Sequence, residues 1–239
     1  MVFIDTCVQY EKRKLKEIFD KGFKEIGFRP RSSRILLKPN LLNSKPPDRA
    51  VTTHPEFIRA LGEILLDFSC DVYIGDSPGY ELLHKVLKNS GIMTIIKQIG
   101  LKISSFDKRV IKRHNGISPY RTFILGEDPS QYDLIINIPK LKTHTMMGMT
   151  LGVKNTFGFI HSLDKARWHL RAGQDRLLFA SILIDIHRIV NPHVTILDGI
   201  IGMDGDGPSS GNPQNFGIVA IGKNAFQLDD AIEKIMRIR

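Results

Sequence analysis

Short apolar runs alternate with amphipathic stretches along most of this chain. Ile35-Leu36-Leu37 has the length of a buried strand and stops at Lys38-Pro39-Asn40. His54 to Phe68 repeats apolar residues at helical spacing, with Phe57, Ile58, Leu61, Ile64 and Leu65 on one face. Thr53 stands where a cap belongs, Pro55 at the first helical position and Glu56 in the first turn. Asp71 to Asp76 reads as the next strand, and Ser77-Pro78-Gly79 turns it into a helix from Glu81 to Asn89. Asp133 to Ile138 and His193 to Leu197 are further strands, and Gln174 to Val190 is a long helix. Phe216 to Ile221 is a strand before a last helix from Phe226 to Ile238. The irregular alternation between Leu101 and Leu125 suggests antiparallel edge strands. Apolar strands alternating with helices predict an α/β fold, with a mostly parallel or mixed central sheet flanked by helices.

No low-complexity linker interrupts the pattern, so residues 1–239 are expected to form a single domain. Apolar runs such as Phe179 to Ile184 are far shorter than the roughly 20 residues that cross a bilayer. Met1 to Cys7 carries Asp5 and leads into a charged helix, unlike a signal peptide. Two cysteines, Cys7 and Cys70, exclude a disulfide scaffold and cannot ligate an iron–sulfur cluster alone. The expected setting is soluble and cytoplasmic. The net charge of +9 comes partly from an N-terminal lysine- and arginine-rich stretch and partly from Lys108 to His114. A solvated basic face accounts for it, while attraction to anionic partners is the other reading.

Polar chemistry gathers in three segments, Lys38–His54, Pro139–Asn155 and Asp198–Pro213. Lys38 and Asn40, Asp76 and Ser77, Lys140 to His144, and Asp198 each lie at or just beyond the end of a strand. In α/β sheets that is where the ligand crevice opens. Lys140, Lys142 and Lys154 stand among apolar residues, and a buried ammonium needs a partner. A bound carboxylate or phosphate would serve, and so would an internal network with Asp76 and Asp198. His144 is a candidate general base or a structural histidine. The Asp198–Pro213 stretch reads as a glycine-rich loop, but it fits neither a calcium loop, a Walker loop nor the dinucleotide fingerprint. His161, His169, His187 and His193 are too scattered for a zinc spacing, and no metal site is expected.

Six motifs in one order carry a family resemblance: Leu37-Lys-Pro-Asn-Leu-Leu42, Thr52-Thr-His-Pro55, Gly75-Asp-Ser-Pro-Gly79, Pro139-Lys-Leu-Lys-Thr-His144, Leu151-Gly-Val-Lys-Asn-Thr-Phe-Gly158 and Asp198-Gly-Ile-Ile-Gly-Met-Asp-Gly-Asp-Gly-Pro208. Over nearly its whole length the chain resembles the domain of unknown function 362 family. Many relatives carry a fused ferredoxin-like cysteine module, which implies a redox setting. This chain has no such module, so the resemblance implies that any iron–sulfur cluster would sit on a partner. The chain also ends soon after its last helix, where many relatives continue.

The leading expectation is an enzyme or enzyme component, in the oxidoreductase direction, that binds a small anionic substrate in a redox-linked pathway. Lys38, Lys140, Lys142 and Lys154 would neutralise the anion, and Asn40 and Asn155 would orient it. Asp76, His144 or Asp198 would move protons. A non-catalytic scaffold that docks a ferredoxin-like iron–sulfur protein is the alternative. An RNA-binding module ranks third, because no aromatic-studded basic strand marks a nucleic-acid reader.

Overall fold

The computed structural model describes residues 1–237. In chain order the elements are β1 (Val2–Thr6), α1 (Lys12–Glu25), β2 (Arg34–Pro39), α2 (Pro55–Asp67), β3 (Asp71–Ile74), α3 (Leu83–Asn89), α4 (Ile92–Ile99), β4 (Lys102–Ile103), β5 (Val110–Arg113) and β6 (Thr122–Leu125). There follow β7 (Leu134–Ile138), β8 (Lys140–His144), β9 (Gly148–Thr150), α5 (Gly152–Asn155), α6 (Ser162–Ala172), α7 (Arg176–Val190), β10 (Val194–Asp204), β11 (Asn212–Gly222) and α8 (Ala225–Arg237). The chain is a single α/β domain built on a mixed sheet in the order β1-β11-β10-β7-β2-β3-β4, with β8 and β9 attached beside β10. Strands β10, β7, β2, β3 and β4 run parallel; β11 lies antiparallel to β10, and β1 closes that edge antiparallel to β11.

Alternation along the strands sets the two faces. Ile35 and Leu37 point to a core shared with Leu15 and Phe19 of α1 and Phe57 and Leu61 of α2. Leu36 points the other way, to a core with Phe159, Phe179 and Ile182 beneath α7. Phe57 is fully buried and packs edge-on against Phe19 at 5.0 Å. A phenyl group so placed contributes about 1.5–3 kcal/mol through burial. A third cluster joins Leu197 and Ala220 to Leu228 and Ile232 of α8.

The connections place the crevice. From β2 the chain steps through α2 to β3 and on to β4, then returns to lay β7 on the other side of β2. The strand order therefore reverses between β2 and β7, where Lys38 pairs with Asn137 and Pro39 with Ile138. Chains leaving adjacent strands in opposite directions open a cleft at their carboxyl ends.

Three sequence expectations are corrected. Thr53 does not cap α2: its hydroxyl donates to the Ile138 carbonyl and accepts from Asn40 N–H, while the His54 side chain caps the helix. The Leu101–Leu125 region gives only the two-residue β4 to the main sheet, and that pairing is parallel; β5 and β6 form a separate hairpin sheet. The Asp198–Pro213 stretch is mostly strand, because β10 and β11 run through its ends with a bulge between Gly199 and Ile201. Strand β1, which pairs with β11, was not foreseen. Among the described residues no helix is long and apolar enough to cross a membrane.

Candidate functional site

Lys38 is fully buried, on the same face of β2 as Leu36. Its ammonium lies 2.8 Å from Asp76 Oδ1, in a contact of charge more than of directed hydrogen bonding, and donates to the Pro39 carbonyl at 2.8 Å. Burial lowers the Lys38 pKa and Asp76 opposes the fall. Asp76 Oδ2 accepts from Leu41 N–H at 2.8 Å. Gly158 seals this pair: a Cβ there would collide with Asp76 Oδ1 and the Lys38 ammonium.

An amide ladder runs beside it. Lys142 donates to Asn40 Oδ1 at 2.7 Å and to the Val51 carbonyl at 2.9 Å. Asn40 donates to Asn155 Oδ1 at 3.0 Å, and Asn155 donates to Asn137 Oδ1 at 2.8 Å. Among the described residues Lys142 has no carboxylate partner, and burial together with Lys154 and Lys140 pushes its pKa well below the ordinary lysine range. The ladder ties β2, β7, β8 and α5 together through groups whose loss would leave buried polar atoms unmade.

Lys140 and Asp198 are held elsewhere, pairing at 2.9 Å with both side chains buried. Lys140 also donates to the Tyr10 hydroxyl at 2.7 Å, which donates to Asp198 Oδ1 at 2.8 Å, and His54 N–H donates to Oδ2 at 2.9 Å. The Tyr10 ring stacks on His54 at 3.6 Å. Every oxygen of Asp198 is thus engaged within the protein, as in a structural pin.

A cavity of about 170 Å³ opens next to the first two networks. It is smaller than the roughly 300–1,000 Å³ of pockets for drug-sized ligands, so it suits a compact molecule. Of the residues singled out from the sequence, Asn40, Asp76, Ser77, His144, Lys154 and Asn155 line it. Lys38, Lys140, Lys142 and Asp198 do not. Lys38 lies behind the wall with Asp76, Lys142 supports Asn40, and the Lys140–Asp198 pin is closed. Thr150, Lys165 and His169 also line the cavity and were missed as site residues. Lys165 and His169 share one face of α6 at a four-residue spacing, the signal that could have found them.

The cavity is electrically unlike its surroundings. Lys154 is half-buried and makes no hydrogen bond or ion pair among the described residues; desolvation brings its pKa down to about 8. Lys165 is half-buried too, and it donates to the backbone carbonyls of Ser77 and of Pro78, the latter at 3.3 Å. Desolvation, eased by Asp76, brings it to about 7. Two buried hydroxyl oxygens on the cavity wall, Ser77 Oγ and Thr150 Oγ1, have no hydrogen-bond partner among the described residues.

The histidines divide their roles. His144 Nδ1 accepts from the Met146 and Met147 N–H groups, both at 3.2 Å, so the neutral ring carries its proton on Nε2. Desolvation and neighbouring lysines lower its pKa to about 3. This ring is therefore a hydrogen-bond donor at neutral pH, and the general-base role expected of it does not fit its tautomer. His169 touches Phe157 and Phe179 only through its ring, and desolvation also lowers its pKa. Among the described residues its ring nitrogens make no hydrogen bond.

A larger cavity of about 390 Å³ lies between α7 and α8, walled by Met149, Leu151, Leu183, Phe226 and Asp229. It is mainly apolar, and its buried carboxyl, Asp229, is already used by the N–H groups of Gly152 and Val153. Lys154 borders both cavities, but the smaller one also has Lys165 and the Ser77 and Thr150 hydroxyls on its wall and is the better candidate. Among the described residues no three His, Cys, Asp or Glu side chains gather as a metal site.

Comparison with known proteins agrees with the sequence motifs. Thylakoid-associated protein sll1697 of Synechocystis sp. is 33% identical over 205 residues, covering 86% of this chain and 63% of that protein. The lactate racemase apoprotein of Thermoanaerobacterium thermosaccharolyticum superposes with a TM-score of 0.57 at 13% identity, covering 95% of this chain and 55% of that one. At that identity the likeness is one of fold. The chain thus spans less than two thirds of either protein. The family described as Domain of unknown function (DUF362) matches residues 35–233, and the chain belongs to it.

Proposed function

We propose that this domain is an enzyme or enzyme component that binds a small anionic substrate, a carboxylate or phosphate, in the cavity between β2, β3, α5 and α6. The observation that carries the reading is Lys154, a desolvated ammonium with no acceptor among the described residues, on the wall of a cavity that also has Lys165 and two hydroxyls unpaired among those residues. Of the other buried lysines, Lys38 is compensated by Asp76 and Lys140 by Asp198, while Lys142 donates to the neutral oxygens of Asn40 and Val51. Leaving a buried cation uncompensated is costly, and a bound anion removes the cost. Asn40 and Asn155, fixed by the amide ladder, would orient the ligand, and His144 would donate to it through Nε2–H. Proton movement would fall to His169.

The fold likeness to a racemase of a small carboxylate is consistent with such a substrate, although that fold alone specifies no chemistry. The redox-linked setting and a ferredoxin-like partner rest on the family resemblance. Cys7 and Cys70 are both buried and free, so the proposed cluster would belong to the partner. A basic docking surface has less support, because Lys12, Lys16, Lys21, Lys108 and Lys112 each face a carboxylate.

Native mass spectrometry of the purified protein, followed by calorimetric titration with small carboxylates and inorganic phosphate, tests the proposal. A retained or added anion that binds wild type and is lost with Lys154→Met supports it. If none of these anions binds, the reading is wrong.

A further inference from the structure

The cavity's two cations are not equivalent. Lys165 comes from α6 and reaches the Ser77-Pro78 turn after β3, touching the carbonyl of Ser77, whose hydroxyl oxygen is unpartnered. Lys154 comes from α5, four residues beyond Thr150 at the end of β9, whose hydroxyl is also unpartnered. Both ammonium groups and both hydroxyls thus line the same cavity, and the two lysines come from different helices. The one carboxylate on the wall, Asp76, is already neutralised by Lys38. Among the described residues neither ammonium pairs directly with a carboxylate, although Asp76 acts on Lys165 at longer range, and the wall also offers two hydroxyls suited to an oxygen.

We infer that the cavity takes a short anion with a charged group at each end, a dicarboxylate or a phosphorylated carboxylate, one end on Lys154 and Thr150 and the other on Lys165 and Ser77. The inference rests on the anion-binding reading above and specifies its substrate class. A monoanion would leave one ammonium without a counter-charge in a poorly solvated wall, and its affinity should be lower accordingly. A ligand with both charges on one group, such as inorganic phosphate, could satisfy only one of the two sets fully. Size restricts the spacer, since about 170 Å³ admits only a few carbon atoms between the ends.

The test is calorimetric titration of the whole chain at pH 6.5 with propionate, malonate, succinate, glutarate, 3-phosphoglycerate and inorganic phosphate. At least one two-ended ligand should bind about ten- to a hundredfold more tightly than propionate, the value of one further charge-assisted hydrogen bond. Lys154→Met and Lys165→Met should each reduce that ratio towards one. Thr150→Val and Ser77→Ala, milder changes, should each lower it several-fold, and they keep the test usable should a lysine variant fold poorly. The carboxylate and phosphorylated arms distinguish the two kinds of end group. Propionate binding as well as every two-ended ligand would overturn the inference while leaving the anion site standing. So would inorganic phosphate exceeding all of them. No binding by any of the six would remove the anion site itself, and the inference with it.

Discussion

Replacing Lys154 by methionine should move stability and ligand affinity in opposite directions. The fall of its pKa from an ordinary 10.5 to about 8 measures what the protein loses by keeping this ammonium poorly solvated. That fall corresponds to about 3 kcal/mol, reduced to about 2 kcal/mol because solvent reaches part of the side chain. The sign follows from the direction of the shift. Below about pH 8 the lysine is charged in both folded and unfolded chains, so the folded state bears the whole penalty. The penalty fades as the pH rises from about 8 towards 10.5, where the folded form is neutral first. Methionine keeps the length of the stem and removes the charge. Lys154→Met should therefore unfold at a higher denaturant midpoint at pH 7, by about 1–2 kcal/mol, with the gain shrinking above pH 9. The same variant should lose anion affinity by about ten- to a hundredfold, the worth of a charge-assisted hydrogen bond. Urea unfolding at pH 7 and pH 9.5, beside titration with the tightest anion, reads both quantities. A variant that is less stable and binds as well as wild type would refute the reasoning, because it would make Lys154 a structural residue.

Anion affinity should be nearly flat below pH 6.5 and fall at least tenfold by pH 9, as Lys165 and Lys154 lose protons near 7 and 8; a dissociation constant measured at half-unit steps checks this, and affinity that rises with pH would contradict it. Lys140→Ala should leave Asp198 as an unpaired buried charge and lower the apparent Tm by roughly 6–20 °C, whereas an unchanged melting curve would disprove the pin described for that pair. Gly158→Ala should force apart the Lys38–Asp76 contact beside it; overpacking of this kind costs about 1–3 kcal/mol, and a denaturant midpoint equal to wild type would show that the site yields without strain.

Much of the scaffold was legible because hydrophobic periodicity reports burial. The stripe Phe57, Ile58, Leu61 and Leu65 marked α2, and Leu134 to Ile138 marked a central strand. Placement at the carboxyl ends of strands also led to Asn40, Asp76 and Ser77, which line the cavity. Sequence adjacency misled where partners were distant. Lys140 and Lys142 stand two residues apart on β8, yet one meets Tyr10 and Asp198 and the other Asn40 and Val51. Only the packing of four separate segments decides which lysine is already paired. Lys165 and His169 escaped notice because they sit on a helix whose charged and apolar positions are mixed, with Leu163 and Leu170 exposed and Asp164 buried. Their role depends on the Ser77–Gly79 turn approaching that helix, which no local pattern encodes. The Asp198–Asp204 segment read as a loop from its glycines, although those at 199 and 202 serve close packing: a Cβ at Gly202 would lie 2.7 Å from the Leu141 carbonyl.

The central claim is that Lys154 and Lys165 hold an anion in one cavity. A crystal structure of the protein soaked with the tightest-binding of the titrated anions tests it most directly. The account predicts oxygen atoms of the ligand within about 3.2 Å of both ammonium groups, with Ser77 or Thr150 completing the contacts. An anion bound only outside the cavity, with Lys154 turned away from it, would contradict the account.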